Sequence, residues 1–115
     1  MIQDAGDAGA LDRLFHALAD GTRRAMIDRL GTGPASVKEL AAPFAMALPS
    51  VMKHLAVLES GGLVESAKLG RVRTYRLAPD ALARIDRWVE LRKARWSRSF
   101  DRLDAFLAEE EAKLP

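Results

Sequence analysis

The chain has 115 residues, enough for one domain with a real core and too few for a second, and its 49% apolar and 30% charged side chains exclude a fibre or a disordered segment. With no cysteine, disulfides, zinc–thiolate sites and cysteine nucleophiles are excluded too. The net charge of +2 hides an uneven spread: residues 1–35 carry four basic and five acidic side chains, residues 36–77 six and three, and residues 78–115 eight and eight, so the basic surplus a phosphate-facing surface needs lies in the middle.

Residues 1–10 have no apolar period and read as a flexible tail, leaving residues 11–115 as a single domain. This start is acidic and rich in Gly and Ala, unlike a leader. No apolar run approaches the roughly 18 residues needed to cross a bilayer, so a cytoplasmic protein without a membrane partner is expected.

Leu11, Leu14, Phe15 and Leu18 recur at i, i+3, i+4 and i+7 and define a first helix. Asp20 is a good N-cap for a second, which buries Met26, Ile27 and Leu30 and is stopped by Gly31 and Gly33. Ser36-Val-Lys-Glu39 has the form in which hydroxyl and carboxylate each satisfy a free backbone N–H, so a third helix starts at Ser36, buries Val37 and Leu40, and ends before Pro43. Pro49 is tolerated in the first turn of a fourth helix, where Val51, Leu55 and Leu58 fall within about 60° of one another. Gly61-Gly62 ends that helix.

Two short helices joined tightly over residues 36–61 predict a helix-turn-helix. Leu63–Leu69 and Val72–Leu77 predict a β-hairpin around Gly70-Arg71, a wing over about residues 63–77 with Lys68, Arg71 and Arg73 at its tip. The last helix is expected from Pro79 to about Lys113. Leu82, Ile85, Val89, Trp96, Phe100, Leu103 and Leu107 share one face at near-heptad spacing, interrupted by Arg92. A helix about 50 Å long overhangs so small a domain, and its apolar half needs a partner. A second copy of the chain supplies one with a single symmetric contact.

The fold expected is therefore mainly α with a small β-hairpin, a winged helix-turn-helix. Its first and last helices form a dimer interface through Leu11, Leu14, Phe15, Leu18, Val89, Trp96, Phe100, Leu103 and Leu107.

The stretches Leu18-Ala-Asp-Gly-Thr-Arg-Arg24, Ser36-Val-Lys-Glu-Leu-Ala41, Leu48-Pro-Ser-Val-Met-Lys-His-Leu-Ala-Val-Leu-Glu59, Gly62-Leu-Val-Glu65 and Gly70-Arg-Val-Arg-Thr-Tyr-Arg-Leu77 resemble the ArsR/SmtB type of bacterial winged-helix repressors. The resemblance covers residues 11 to about 78. It implies a homodimeric repressor with the fourth helix in the major groove of double-stranded DNA and the wings beside it. Three departures stand out: Gly21 where the family often has proline, Ala47 where serine often caps the recognition helix, and Met52 where serine often precedes the Lys-His pair.

The recognition-helix positions opposite the buried stripe are Pro49, Ser50, Lys53, Ala56 and Val57. Ser50 and Lys53 are the expected base or phosphate contacts, because lysine reaches guanine O6 and N7 and serine bonds to either. Geometry leaves His54 and Met52 open; the family pattern favours a contact for His54. Arg71 and Arg73, with Lys68 and Lys38 as weaker candidates, are expected on phosphates, and Arg23 and Arg24 in surface or structural roles.

No cofactor and no metal site are expected. The third helix lacks ligands, the last helix lacks histidine, and His16 and His54 lie far apart in the chain. An enzyme is not expected either, for want of a nucleophile–base pair or a phosphate loop. The alternative is a winged-helix module that binds protein without specific DNA readout. An effector, if one exists, is not identified by the sequence.

Overall fold

A computed structural model describes the backbone from Ile2 and the side chains from Gly9 onward. The chain divides into two compact units, Met1–Ala81 and Leu82–Pro115.

In the first unit, α1 (Ile2–Leu18) is followed by α2 (Gly21–Leu30), β1 (Ala35–Ser36), α3 (Val37–Ala41), α4 (Leu48–Ser60), β2 (Val64–Leu69) and β3 (Val72–Leu77). The local signals act as the sequence predicts. Asp20 Oδ2 accepts from the Arg23 backbone N–H at 3.0 Å and caps α2. Ser36 and Glu39 form a reciprocal capping box, with Glu39 N–H donating to Ser36 Oγ at 3.2 Å and Ser36 N–H to Glu39 Oε1 at 3.0 Å. Ala47 leaves α4 without a side-chain cap.

The core gathers Leu14, Met26, Leu40, Val51, Leu55, Leu58 and Leu63, all fully buried. Val37 and Ile27, expected inside, are only half-buried. Gly61 lets α4 end hard against α1: a Cβ there would sit 3.0 Å from Ala17 Cβ and from the Arg13 carbonyl oxygen. Gly62, with φ +76°, then makes the turn into β2.

Three expectations are corrected. Helix α1 takes in Gly9 and Ala10, which the apolar pattern alone leaves in the tail; helix formation needs no apolar repeat, and alanine favours it. For residues 1–8, the tail expectation falls on side chains outside the described residues. The hairpin gains a third strand: β1 pairs antiparallel with β3 through Ala35↔Tyr75 and Ser36↔Thr74, giving the order β1-β3-β2. Two residues are too few to show an alternation.

The third correction concerns the last helix, α5, which runs Ala83–Ala112 and so starts four residues after Pro79. Ala81 N–H donates to the Ala78 carbonyl at 3.0 Å, closing a turn with Pro79 at its second position, where proline's fixed φ serves equally well. In this second unit no α5 residue is buried. Arg92 lies over the Trp88 ring, 4.3 Å from its centre.

Candidate nucleic-acid interface

The buried stripe Val51, Leu55 and Leu58 fixes the rotation of α4, so Leu48, Pro49, Ser50, Met52, Lys53 and Ala56 face outward. Ser50 and Lys53 are both exposed on that outward face. Lys53 forms no ion pair among the described residues.

His54, expected on DNA, has partners within the domain. Its half-buried ring turns back toward the domain, Nδ1 lying 3.2 Å from Arg23 Nη1 and 3.9 Å from Asp20 Oδ2. Arginine can only donate, so Nδ1 is the acceptor and the neutral ring carries its proton on Nε2. Arg23 also donates from Nε to the Ala17 carbonyl at 2.7 Å and from Nη2 to the His16 carbonyl at 2.9 Å.

This clasp ties the end of α1 and the start of α2 to the recognition helix. The Arg23 backbone N–H holds the Asp20 carboxyl below the usual carboxylate range, and the charge of Arg23 adds to the effect. The burial of Arg23 was missed, although its signal is present: Arg23 falls on the same face as Met26, Ile27 and Leu30.

Charge in the wing is sorted along its length. At the base, Glu65 and Arg76 are cross-strand partners joined by a 2.8 Å salt bridge. Near the tip, Lys68 stands opposite Arg73, a like-charge pair that repels. Gly70, at φ +64°, makes the tight turn that carries Arg71.

A cleft of about 490 Å³ opens between this hairpin, the start of α3 and the flank of α4, lined by Lys38, Met52, Lys68, Arg71, Arg73 and Tyr75 among others. Four of the expected phosphate contacts, scattered over 36 positions of sequence, thus share one cleft. Lys38, Lys68 and Arg71 make no ion pair among the described residues.

Arg73 is held in place. Its Nη1 donates to Ser66 Oγ at 2.8 Å, and that hydroxyl donates to the Glu59 carboxylate at 3.2 Å, linking β3 through β2 to the end of α4. Beneath them, burial pushes the Tyr75 phenol up from its ordinary range, and the nearby Glu59 charge does the same.

The residues expected at a dimer interface divide. Leu14 is fully buried within the chain and offers no surface, because α4 packs on that side of α1. Leu11, Leu18 and Val89 are half-buried, and Phe15, Trp96, Phe100, Leu103 and Leu107 are exposed.

The model of a helix-turn-helix domain family matches residues 18–67. The HTH-type transcriptional regulator Rv2034 of Mycobacterium tuberculosis is 46% identical over 74 residues, which are 64% of this chain and 69% of that one. A crystal structure of an ArsR family transcriptional regulator is 44% identical, with a TM-score of 0.75 over 78% of this chain and 93% of that one.

The chain belongs to the ArsR family.

A third match is the solution structure of a homodimeric winged helix-turn-helix DNA-binding domain from Mycobacterium bovis, 32% identical, with a TM-score of 0.65 over 80% of this chain and 85% of that one. As an ArsR-family winged helix-turn-helix protein, the chain is a DNA-binding transcriptional regulator. Among the described residues no helix is long and apolar enough to cross a membrane.

Proposed function

We propose that the protein is a cytoplasmic homodimeric repressor that binds an inverted-repeat operator, one α4 per half-site, with half-site centres about one DNA turn apart. The observation that carries this reading is the convergence of Lys38, Lys68, Arg71 and Arg73 on one cleft beside the recognition helix, with Lys68 and Arg73 held opposite each other. Two cations in register cost stability in the free protein, and a phosphate between them turns the repulsion into attraction. Ser50 and Lys53 reach base edges or phosphates, and His54 sets the pose of the helix instead of touching DNA.

Dimerisation rests on the exposed apolar face of α5, supported by the homodimeric relative. Repression is the role that resemblance to the ArsR/SmtB repressors implies. Binding without a metal is the reading that the lack of cysteine supports.

A mobility-shift titration of the full chain against the DNA upstream of its own gene tests the reading. A salt-sensitive shift that unlabelled nonspecific DNA cannot compete away is expected. No shift at low salt, or binding indifferent to sequence, rejects it. Replacing Lys53 and Arg73 by Ala abolishes the shift if α4 and the wing read DNA, and leaves partner binding untouched if the domain is only a protein-binding module.

A further inference from the structure

The side chains on α4 limit which bases it can recognise. Bidentate reading of adenine needs Asn or Gln, and reading of cytosine N4 needs a carboxylate. Helix α4, LPSVMKHLAVLES, contains no Asn, Gln, Asp or Arg, and its one carboxylate, Glu59, is engaged by Ser66 at the far end of the helix. The hydrogen-bonding groups left on its outer face in the first two turns are Ser50 and Lys53.

Beside them lies an exposed apolar row, Leu48, Met52 and Ala56, spaced four residues apart and hence stacked along one side of the helix. Leu48 is 44% and Met52 55% exposed, so neither belongs to the core. Met52 also forms part of the wall of the cationic cleft. The row therefore borders the cations of that cleft through Met52.

The one apolar group that a base pair presents in the major groove is the C5 methyl of thymine. We propose that the Leu48–Met52–Ala56 row reads thymine methyls, with Met52 as the principal contact, so that each half-site is specified by thymines flanking the base that Lys53 reaches. This rests on the DNA-binding reading above. Within it, methyl contact takes the place of the amide and guanidinium readout that this helix lacks.

The test begins by selecting duplexes for the full-length protein from a random pool. Each thymine of the recovered half-site is then replaced singly by deoxyuridine, which removes one methyl and leaves base pairing and phosphates intact. Wild type is expected to lose about threefold to fivefold in affinity at one or more positions, the value of one buried methyl. Met52→Ala and Met52→Gln are expected to lose that discrimination, whereas Lys53→Ala binds more weakly but keeps it.

Tolerance of uridine at every position of a specifically bound duplex overturns the proposal and leaves the DNA-binding reading standing. An undiminished uridine penalty in both Met52 variants overturns the role of Met52. A selection that enriches no sequence overturns the DNA-binding reading and this proposal with it.

Discussion

Arg23 is a charged side chain only 9% exposed, yet it is not an isolated buried charge, because two carbonyls and the His54 ring share its guanidinium. Arg23→Met fills similar space but orphans those acceptors. It is expected to cost about 2–4 kcal/mol in urea unfolding. His54→Ala is expected to cost less, about 1 kcal/mol, and a double-mutant cycle with Arg23 should show coupling. Additive losses would mean that the two side chains do not cooperate.

Asp20 belongs to the same clasp, and its folded carboxyl titrates below the usual range. A depressed carboxylate contributes stability above its unfolded titration point, and that contribution is lost as pH falls through the folded one. Acid unfolding of the wild type should therefore show a component that Asp20→Asn lacks, followed by circular dichroism from neutral to strongly acidic pH. At this scale the sequence disclosed both helix caps, which depend only on neighbours three residues away. It did not disclose the turn of His54 toward Arg23, which joins residues 31 positions apart. Type and spacing give a histidine on a recognition helix no preferred direction, so only packing decides whether it faces DNA or the domain.

Among the elements, α4 and the wing depend on close approach and on charge sorting respectively. Gly61→Ala sets a methyl 3.0 Å from the side chain of Ala17 and from the α1 backbone. A cost of about 1–3 kcal/mol is expected from thermal or urea unfolding, although glycine itself is a poor helix former. From the sequence Gly61 reads as a stop signal; the reason no other residue fits is a long-range contact that the local pattern does not carry.

In the wing, single replacement of Lys68, Arg71 or Arg73 by Ala should weaken DNA binding for all sequences alike. Each loss should also reduce the slope of log affinity against log salt by about 1. An unchanged slope would take that residue off the phosphates. The hairpin was legible from its alternation and its Gly turn, whereas strand β1 and the start of α5 were not. A two-residue strand has no period, and Pro79 suits a helix start and a turn equally.

For the whole molecule, the unsettled surface is the apolar face of α5. Trp96, Phe100 and Leu103 are each half exposed or more, though their spacing is that of a packed seam. Phe100→Glu with Leu103→Glu should give a folded monomer by sedimentation, with circular dichroism close to wild type and operator affinity down by more than tenfold, because the two half-sites are no longer bound together. A variant that stays dimeric would move the interface elsewhere. Both the overlong helix and its stripe were readable in the sequence, since length and periodicity are local. Which copy covers the stripe is not written there.

The central claim, that α4 and the wing of a dimer read an operator, is tested most directly by fluorescence anisotropy. The intact protein is titrated onto its own upstream duplex and onto a scrambled duplex of equal length, over a range of salt concentrations. The account predicts at least a thousandfold preference for the upstream duplex at physiological salt, a steep salt slope, and loss of the preference in Lys53→Ala with Arg73→Ala. Equal affinity for the two duplexes, or a preference that survives both substitutions, would contradict it.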